Sequence, residues 1–574
     1  MQFLSQAYRA LTAAKTGPTL YDLCDPLLRG QGRGDAHLRK FYNKAVASPL
    51  LRPLLARAGL PQLRDEAQFG ALRDAILAAR DQETPDWLAI GRPVAALLDR
   101  FPPSHPKRGA VPAAGETVPT KELDRILRAC ARHLLRTHSR RGFIPAYAAF
   151  NLIGDPDFRG RDLLVALQGL NARSYKNSTL LFNLARAFIA GSPAAEAVIN
   201  PPWSGLAEPM WAPVQIRHRS AYYDAFYAEA LMDFLASGLA TPDETNTARH
   251  TVEQLIGFCL HESRETVPSL RDGKPFDVVT ALAPAPHARF SRFFAQIKSD
   301  LGFATYVPDC DTTACSISAA TQFGSQDPII DQPLIDFYTG YQIGQASNRE
   351  MLTVPLNDNI EFEGGILTWI ENAAGERPYG NDLDPTLCLD VLEVCFRNCD
   401  RWQIVETPQR LATVRGMIHF QRRLAETGAF ADPRSHIYYL PELYCAYFGR
   451  CYAAFRALPR AQQEAIDPDN SFELIRRHVL TYVRDDLLTA EINAFDAALA
   501  LLALAKLGAE PASFAPALAC IARAFGEGRW GAPYKAYEWN KMKTPTRILV
   551  GGPEVTSAFV LSALVHAREA MKTN

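Results

Sequence analysis

The stretch PDCDTTA at residues 308–314 places two carboxylates two residues apart, with two hydroxyls directly after them. A small, apolar run at 314–320 follows and is typical of a buried helix. Proline and aspartate favour helix starts, so Asp309 is a predicted N-cap. Residues i and i+2 do not share a helix face. We therefore expect Asp309 and Asp311 in the turn that leads into the helix, where both can reach one cavity.

Two close carboxyl groups can hold one proton between them, because the first negative charge raises the pKa of the second. Such a pair supplies a carboxylic acid that can donate a proton at neutral pH. A helix N-terminus favours the carboxylate over the acid. Burial, or the repulsion between Asp309 and Asp311, must therefore outweigh the helix dipole if the pair is to work as an acid.

The chain has 574 residues, which is too long for one ordinary domain. Its 61 Lys and Arg nearly balance its 62 Asp and Glu, so nothing indicates nucleic-acid binding. The 11 cysteines form no CxxC pair and no zinc-type cluster, and we expect reduced, buried thiols in a cytoplasmic protein. The N-terminus lacks a signal-peptide pattern. The most apolar segment, 497–507, is too short for a transmembrane span, which needs about 20 residues.

The first third of the chain is predicted to be helical. The spacing of one helix face is followed by Leu123, Ile126, Leu127, Cys130 and Leu134. Residues 222–235 form a second helical stretch, and no alternation of polar and apolar residues is long enough to favour a sheet. A proline-rich break at 266–286 indicates a domain boundary.

A weak repeat follows this boundary. Five segments open with a capping or polar residue and continue as a small, apolar helix, and they begin near Asp309, Asp382, His436, Asn493 and Pro553. The last three intervals are similar, at about 54–60 residues, which is typical of stacked helix pairs. Because 494–507 is apolar nearly all round, it is predicted to be enclosed by other helices.

Pairs with one enclosed and one outer helix favour an α/α barrel, although a solenoid with the same repeat remains the alternative. In a barrel the inner helices start at one end of a central cavity. The residues expected near that end are Asp309, Asp311, Asp384, Tyr438, Tyr439 and Glu554.

The string DCDTTA at 309–314 resembles the DxDD-type signature of class II terpene cyclases, with the last aspartate replaced by threonine. Within this class, the DxDTT form is similar to that of bacterial drimenyl diphosphate synthases. Further strings resemble family elements in the family's order: GGILTW at 364–369, NDLDP at 381–385, YY at 438–439, FGEGRW at 525–530 and GG at 551–552. The motifs cover about residues 290–570, and the N-terminal half matches only in length and helicity.

The resemblance implies an all-α protein with two α/α-barrel-type domains, the βγ architecture of the class. In that family the second domain is inserted after a leading helix of the first, and the substrate lies between the two. We therefore expect residues 1–25 to form the leading helix of the barrel (β-type) domain. Residues 26–270 would form the inserted helical (γ-type) domain, and 271–574 the catalytic barrel that carries DCDTTA.

The resemblance also implies roles for the motif residues. Asp311 would protonate an alkene of the substrate, and Asp309 would orient or reload it. Thr312 and Thr313 would supply hydroxyl donors or cap the helix. Desolvation keeps such an acid neutral. Aromatic faces stabilise the resulting cation, and the candidates are Trp369, Tyr438, Tyr439, Trp530 and Trp539.

The fate of the substrate diphosphate follows from motifs that are missing. The chain has no DDxxD, and Pro385 occupies the hydroxyl position of the NDxxSxxxE pattern. Because cyclases that ionise a diphosphate need those metal-binding carboxylates, we expect the diphosphate to stay on the product. Its candidate cationic partners are Lys535, Lys541, Lys543 and Arg547, although a solvated surface loop explains these residues more simply. Mg²⁺ is expected to help hold the phosphates, with its protein ligands unknown.

The expected activity is cyclisation of farnesyl diphosphate to a bicyclic drimane-type diphosphate, drimenyl diphosphate. Geranylgeranyl diphosphate or a prenylated aromatic is the alternative substrate, because the sequence does not define pocket depth. A DxD glycosyltransferase, with strands and helices in alternation, and a non-catalytic helical-repeat binding protein are the alternatives from other classes. His436 is a candidate terminal base, or else a cap or core residue. Beyond the prenyl diphosphate we expect no nucleic acid and no transmembrane segment, and a homo-oligomer remains open.

Overall fold

The computed structural model describes residues 118–150, 214–270, 272–280, 308–344, 361–370, 383–432, 435–489, 492–526, 537–538 and 548–573. This part of the chain is mostly helical, as predicted. The chain divides into two compact units. One consists of 109–148, 216–541 and 550–574, and contains all the helices described below. The other consists of 1–108, 149–215 and 542–549, which lie almost wholly outside the described residues.

The helices of the described part, numbered in chain order, are α1 Thr120–Arg141, α2 Ala221–Ala236, α3 Pro242–Gly257, α4 Cys310–Phe323, α5 Leu334–Tyr338, α6 Pro385–Arg397, α7 Pro408–Glu426, α8 Pro441–Arg456, α9 Arg460–Ile466, α10 Ser471–Asp485, α11 Ala494–Lys506, α12 Ala515–Gly526 and α13 Pro553–Thr573. A short π-helix, Phe258–Glu262, continues directly from α3.

The strands are short: β1 Ala146–Phe150, β2 Val214–His218, β3 Arg264–Pro268, β4 Pro275–Val279, β5 Tyr537–Glu538 and β6 Ile548–Gly551. Strands β3 and β4 form an antiparallel hairpin with Arg264 opposite Val279. The other four pair in the order β2-β1-β6-β5. The sequence did not predict these strands, because an alternation of at most five residues is too short to distinguish from chance.

Six helices form a closed ring. Around it, α2 packs against α4, α4 against α6, α6 against α8, α8 against α11, and α11 against α13, which returns to α2. Contacts across the ring join residues at similar distances from their helix starts. Ser318 of α4 lies 3.5 Å from Glu393 of α6, and Ser562 of α13 donates to Asp233 of α2. Phe226 and Phe559 meet near the starts of α2 and α13, and Asp233 and His566 meet further along the same two helices. The starts of α4, α6 and α8 meet where Tyr439 contacts Asp311 and Asp384, and Asp233, Arg397 and Lys506 line one cavity near the ends of α2, α6 and α11. The six helices therefore run in the same direction.

Most of the other helices lie outside the ring. Helix α1 packs on α13, α3 on α2 and α12 on α11, while α7 and α10 pack on each other and also contact ring helices. The composition explains the division. Helix α11, AFDAALALLALAK, is buried on nearly every side, which suits a helix with neighbours all round. Helix α10 has one apolar stripe, typical of a helix with a solvent-facing side.

Five of the ring helices correspond to the five segments with polar starts in the sequence repeat, and the sixth, α2, precedes residue 271. The sequence placed α1, α2 and α3 in a different domain from α4, whereas their contacts place all four in one compact unit. The proline-rich stretch taken as the boundary contains the hairpin β3–β4. The limits 1–25, 26–270 and 271–574 also depend on residues outside the described part, where they stay predictions.

All ten cysteines of the described residues are free thiols, and nine of them are buried, as expected. Within the same residues, none of the helices combines the length and apolar character needed to cross a bilayer.

Candidate functional site

Asp309 is the N-cap of α4, as the sequence predicted. Its backbone is extended (φ −129°, ψ 161°), and its side chain accepts the Thr312 N–H at 2.8 Å. The chain around it pairs antiparallel with the segment that ends in Trp369. Cys310 N–H donates to the Thr368 carbonyl at 2.9 Å, and Ile370 N–H donates back to the Pro308 carbonyl at 3.0 Å. The start of α4 is therefore fixed by backbone hydrogen bonds on both sides of Asp309.

A glycine fixes the segment that pairs with Asp309. Gly364 has φ +87°, a conformation that side chains disfavour. A Cβ at this position would lie 2.2 Å from the carbonyl oxygen of Gly416 in α7. Only glycine therefore allows the segment to approach α7 so closely, which gives a physical reason for the GG pair in GGILTW.

Asp311 lies in the first turn of α4, rather than in the turn before it as the sequence suggested. Both motif aspartates are buried, Asp309 with 4% and Asp311 with 8% of its surface exposed. Burial raises the pKa of Asp311 well above its usual value, and the negative charge of Asp309 and a hydrogen bond with Asp309 raise it further. Burial and repulsion thus outweigh the helix dipole at this position.

The two carboxyl groups differ in their partners. Burial also raises the pKa of Asp309, but its hydrogen bonds with Asp311 and with the hydroxyl and N–H of Thr312 oppose that rise. Donors that point at a carboxylate stabilise its charge. We infer that the pair shares one proton unequally, with the proton on Asp311 and the charge on Asp309.

Asp311 also receives a hydrogen bond from the Tyr439 hydroxyl at Oδ2. Tyr439 lies just before α8, and Asp384, the N-cap of α6, holds this part of the chain. One oxygen of Asp384 accepts the N–H groups of Ile437 at 2.8 Å, Tyr438 at 2.9 Å and Tyr439 at 3.3 Å. Asp384 is fully buried. Asp384 therefore positions Tyr439, the donor to Asp311. None of these three hydrogen bonds involves Asp311 itself.

Two more predicted residues lie beside the pair. Trp369, whose backbone pairs with Asp309, donates its indole N–H to the Tyr438 hydroxyl at 2.6 Å. Their rings are perpendicular, with centroids 5.6 Å apart. Trp369 and Tyr438 are half-buried. The structure thus brings together three of the five predicted aromatic residues, and the others, Trp530 and Trp539, lie outside the described residues. So do Lys535, Lys541, Lys543 and Arg547.

An aromatic cluster that the sequence did not predict continues from Tyr439 into the ring. The Tyr222 ring lies 6.4 Å from that of Tyr439, and its hydroxyl is 2.5 Å from the Tyr447 hydroxyl. The Phe226 ring is 5.0 Å from Tyr222, 5.5 Å from Tyr447 and 5.3 Å from Phe559. Tyr222 and Phe226 are four residues apart, so they share one face of the predicted helix at 222–235. The sequence analysis did not place this helix, α2, in the ring.

Three other candidate residues, Thr313, His436 and Glu554, make contacts that hold the fold together. The Thr313 hydroxyl donates to the Asp309 carbonyl at 2.9 Å and accepts the Val279 N–H at 3.0 Å, which ties α4 to β4. His436 is fully buried, and its Nε2–H donates to the Phe430 carbonyl at 2.8 Å. That contact fits the core role weighed for His436. Glu554 pairs with His133 of α1 at 3.5 Å, outside the contacts that link the aspartate pair to the tyrosines.

Chemically, the site combines an uncharged acid with a neighbouring carboxylate and several aromatic faces. Such a site can deliver a proton to a weakly basic, apolar group and stabilise the positive charge that results. Among the described residues, no three His, Cys, Asp or Glu side chains are grouped so as to hold a metal ion. No described side chain is therefore assigned to Mg²⁺.

Comparison with protein-family models and comparison with curated proteins both returned no match for this chain.

Proposed function

We propose that this chain is a class II terpene cyclase, which begins its reaction by protonating an isolated alkene with Asp311. One observation carries the proposal. Asp311 is a buried carboxyl group whose pKa is raised well above its usual value, and it lies between the carboxyl group of Asp309 and the hydroxyl of Tyr439. An alkene is a very weak base, so its protonation requires an acid kept neutral and away from water.

The reaction starts with the transfer of the Asp311 proton to the terminal alkene of the prenyl chain. A C–H bond forms, a tertiary carbocation results, and Asp311 becomes a carboxylate. The next alkenes of the substrate attack the cation in turn and close two rings. A neighbouring carbon then loses a proton to restore an alkene, so the substrate is isomerised with no net change in atoms. General acid catalysis of this kind typically contributes about 10²–10⁴-fold.

Tyr439 and Asp309 have opposite influences on the acid. The Tyr439 hydroxyl donates to Asp311, so it stabilises the carboxylate left after proton transfer. The charge on Asp309 keeps the resting acid protonated. The aromatic residues Trp369, Tyr438 and Tyr222 can face the cation, and cation–π attraction contributes about 2 kcal/mol or more when the cation is desolvated.

The closed ring of parallel helices with further helices outside supports the proposed α/α-barrel domain. The second barrel-type domain of the βγ architecture remains part of the proposal. The rival DxD glycosyltransferase needs strands that alternate with helices, whereas the described part is mostly helical. In addition, Asp309 caps a helix with its carboxylate, which favours the cyclase over a metal-binding DxD.

The proposed substrate is farnesyl diphosphate and the product drimenyl diphosphate, in the cytoplasm. Geranylgeranyl diphosphate or a prenylated aromatic is the alternative substrate. When bound, Mg²⁺ would neutralise charge on the diphosphate. Because the sequence has no DDxxD motif to bind the metal ions that ionise a diphosphate, we propose that the diphosphate stays on the product.

Incubation with C10, C15 and C20 prenyl diphosphates, with and without Mg²⁺, tests the proposal. Products are analysed by gas chromatography and mass spectrometry before and after phosphatase treatment. We expect a bicyclic C15 alcohol only after phosphatase. A cyclic hydrocarbon released without phosphatase would contradict retention of the diphosphate, and the absence of any cyclised product from these substrates or from a prenylated aromatic would overturn the proposed activity.

A further inference from the structure

A second group of buried charges lies further along the same ring helices. Arg450 of α8, 6% exposed, is its centre. Its Nη2 lies 2.7 Å from Glu229 of α2 and 3.1 Å from Glu393 of α6. Its guanidinium also lies over the Phe226 ring, 4.6 Å from the centroid. The aromatic cluster that begins at Tyr439 therefore ends on this charged group.

Asp390 joins the charged group to the acid. It lies one turn before Glu393 on α6 and is 2% exposed. Within the described residues no nitrogen or oxygen donor forms a hydrogen bond to its oxygens, and the Cys315 thiol is the weak donor beside it. Arg450 Nη1 is 3.9 Å from Oδ1. The thiol of Cys315 lies on its other side, and Cys315 is one helical turn after Asp311 on α4. Asp390 is thus placed between Asp311 and the charged group.

Asp390 is able to carry a proton. Burial raises its pKa well above the usual value, although the charge of Arg450 opposes this. Once Asp390 has given up its proton, its charge contributes to the raised pKa of Asp311 and so favours a proton on Asp311. A buried carboxyl group with only a weak thiol donor beside it is costly, so water is a suitable further partner.

Water can reach this region through a cavity of about 40 Å³. Its lining extends from exposed Gln322 to buried Arg450, and includes Glu229 and Lys506. A volume of this size holds at least one water molecule. Among the residues that the structure describes, Oε1 of Glu229 has no hydrogen-bond partner, and burial raises the pKa of this side chain. Glu229 therefore offers a second group that can exchange a proton with water in the cavity.

We propose that Asp390 is the residue that reloads Asp311 with a proton after each turnover, drawing on water in the cavity through Glu229. The inference rests on the proposed function, in which Asp311 ends each protonation step as a carboxylate. In the reloading step an O–H bond of Asp390 breaks and one forms on Asp311. The Asp390 carboxylate then takes a proton from Glu229, which is reprotonated by water. The proton lost by the cyclised product balances the one taken up.

Comparison of the first turnover with later ones tests Asp390 in the full-length protein. With Asp390→Asn in excess over farnesyl diphosphate, we expect the first turnover to keep its rate within about twofold, because Asp311 is already protonated. With substrate in excess, the steady-state rate should fall by about tenfold or more after a burst of one product per enzyme. Rapid-quench kinetics measures both rates.

Controls separate reloading from a general structural effect. Asp467→Asn makes the same change at a buried carboxylate that caps α10, outside the ring, and should give no burst. Glu229→Gln is the second test variant and should also give a burst. It keeps the proposal testable if Asp390→Asn does not fold. The reloading role would be overturned if the rates of the first and later turnovers fell equally, or if neither variant lowered the steady-state rate. The proposed cyclase activity would still stand in both cases. A wild-type protein without cyclised product overturns both proposals.

Discussion

Two buried carboxyl groups on neighbouring ring helices have opposite properties. Burial favours the neutral acid at both Asp311 and Glu393. At Asp311 the charge of Asp309 adds to this effect, and the pKa is raised well above its usual value. At Glu393 the charges of Arg450 and Arg397 outweigh burial, and the pKa is lowered. The sign of the neighbouring charge therefore decides whether a buried carboxyl group of this ring is neutral, as at Asp311, or ionised, as at Glu393.

Asp384 shows a third outcome for a buried carboxyl group. It has no Arg or Lys partner among the contacts described above, but it accepts hydrogen bonds from four backbone N–H groups, those of Thr386, Ile437, Tyr438 and Tyr439. Such donors satisfy a buried carboxylate, and His436 Nδ1 lies 3.7 Å from Oδ1 of Asp384. Its function is to hold two helix starts together, so burial alone does not mark a catalytic residue.

The largest effect is expected at the acid. Asp311→Asn replaces a neutral acid by an amide of nearly the same shape, so turnover should fall by at least about 10²–10⁴-fold. The fold should be kept. Because the raised pKa of Asp311 lowers stability progressively as the pH rises above the unfolded value of about 3.9, the variant should unfold at the same or a higher temperature at pH 7. Product analysis and thermal unfolding measure the two effects.

Asp331→Asn is the matched control, because Asp331 is 73% exposed. It should leave both turnover and unfolding temperature unchanged. Retention of turnover in Asp311→Asn would remove the proposed mechanism.

A change in the charged group around Arg450 should lower the free energy of unfolding. Arg450→Met leaves Glu229 and Glu393 buried without this partner, and removal of one member of a buried ion pair typically costs about 3–5 kcal/mol. Urea denaturation measures the loss in free energy of unfolding. The control Arg460→Met, at a pair on the surface, should change it by less than about 0.5 kcal/mol. Similar values for both variants would show that the Arg450 group is not a stabilising ion cluster.

The next effect is a shift in the pH profile. Turnover requires protonated Asp311, so it should be high at low pH and fall as the pH rises through the raised pKa. Asp309→Asn removes the negative charge that raises this pKa, so the fall should move to lower pH by about 1–3 units. Asparagine can still accept the Thr312 N–H and keep the cap. A profile of kcat against pH that is unchanged, or that moves to higher pH, would contradict the assigned roles.

The smallest effect is expected at Tyr439. Tyr439→Phe removes a donor that stabilises the Asp311 carboxylate, so the pKa of Asp311 should rise and the fall in turnover should move to higher pH, opposite to Asp309→Asn. Loss of one hydrogen bond of about 1 kcal/mol should lower kcat by about fivefold. Profiles of kcat against pH measure the direction of the shift in both variants. A shift to lower pH would show that Tyr439 does not donate to Asp311.

Much of the helical framework could be predicted from local pattern. Asp309 was identified as an N-cap from its position before an apolar helix, and five of the six ring helices from their polar starts. The sixth, α2, was recognised as a helix but assigned elsewhere, because a proline-rich stretch looked like a domain boundary. That stretch contains a hairpin instead. Prolines end a helix locally, but they do not tell whether the chain then leaves the domain.

The site was predicted only in part, for a related reason. The repeat of helix starts predicted Tyr439 near Asp311, and the two are in contact. Tyr222, which reaches Tyr447 across 225 residues of sequence, was not predicted, because α2 was left out of that repeat. Asp390 was overlooked even though an aspartate within the apolar run LCLDVLEVCF is an unusual feature, because its meaning depends on Cys315 and Arg450 from other helices.

The sequence by itself determined where helices start, which faces are apolar, and that two carboxylates and two hydroxyls share one helix start, since caps and apolar periodicity depend on residues within a few positions of each other. Only the tertiary structure decided which buried carboxyl group has a raised pKa and which has a lowered one. The pKa of a buried group depends on its exclusion from water and on the charges that surround it in space. The fold buries Asp311 beside the charge of Asp309, whereas closure of the ring brings Arg450 of another helix to Glu393.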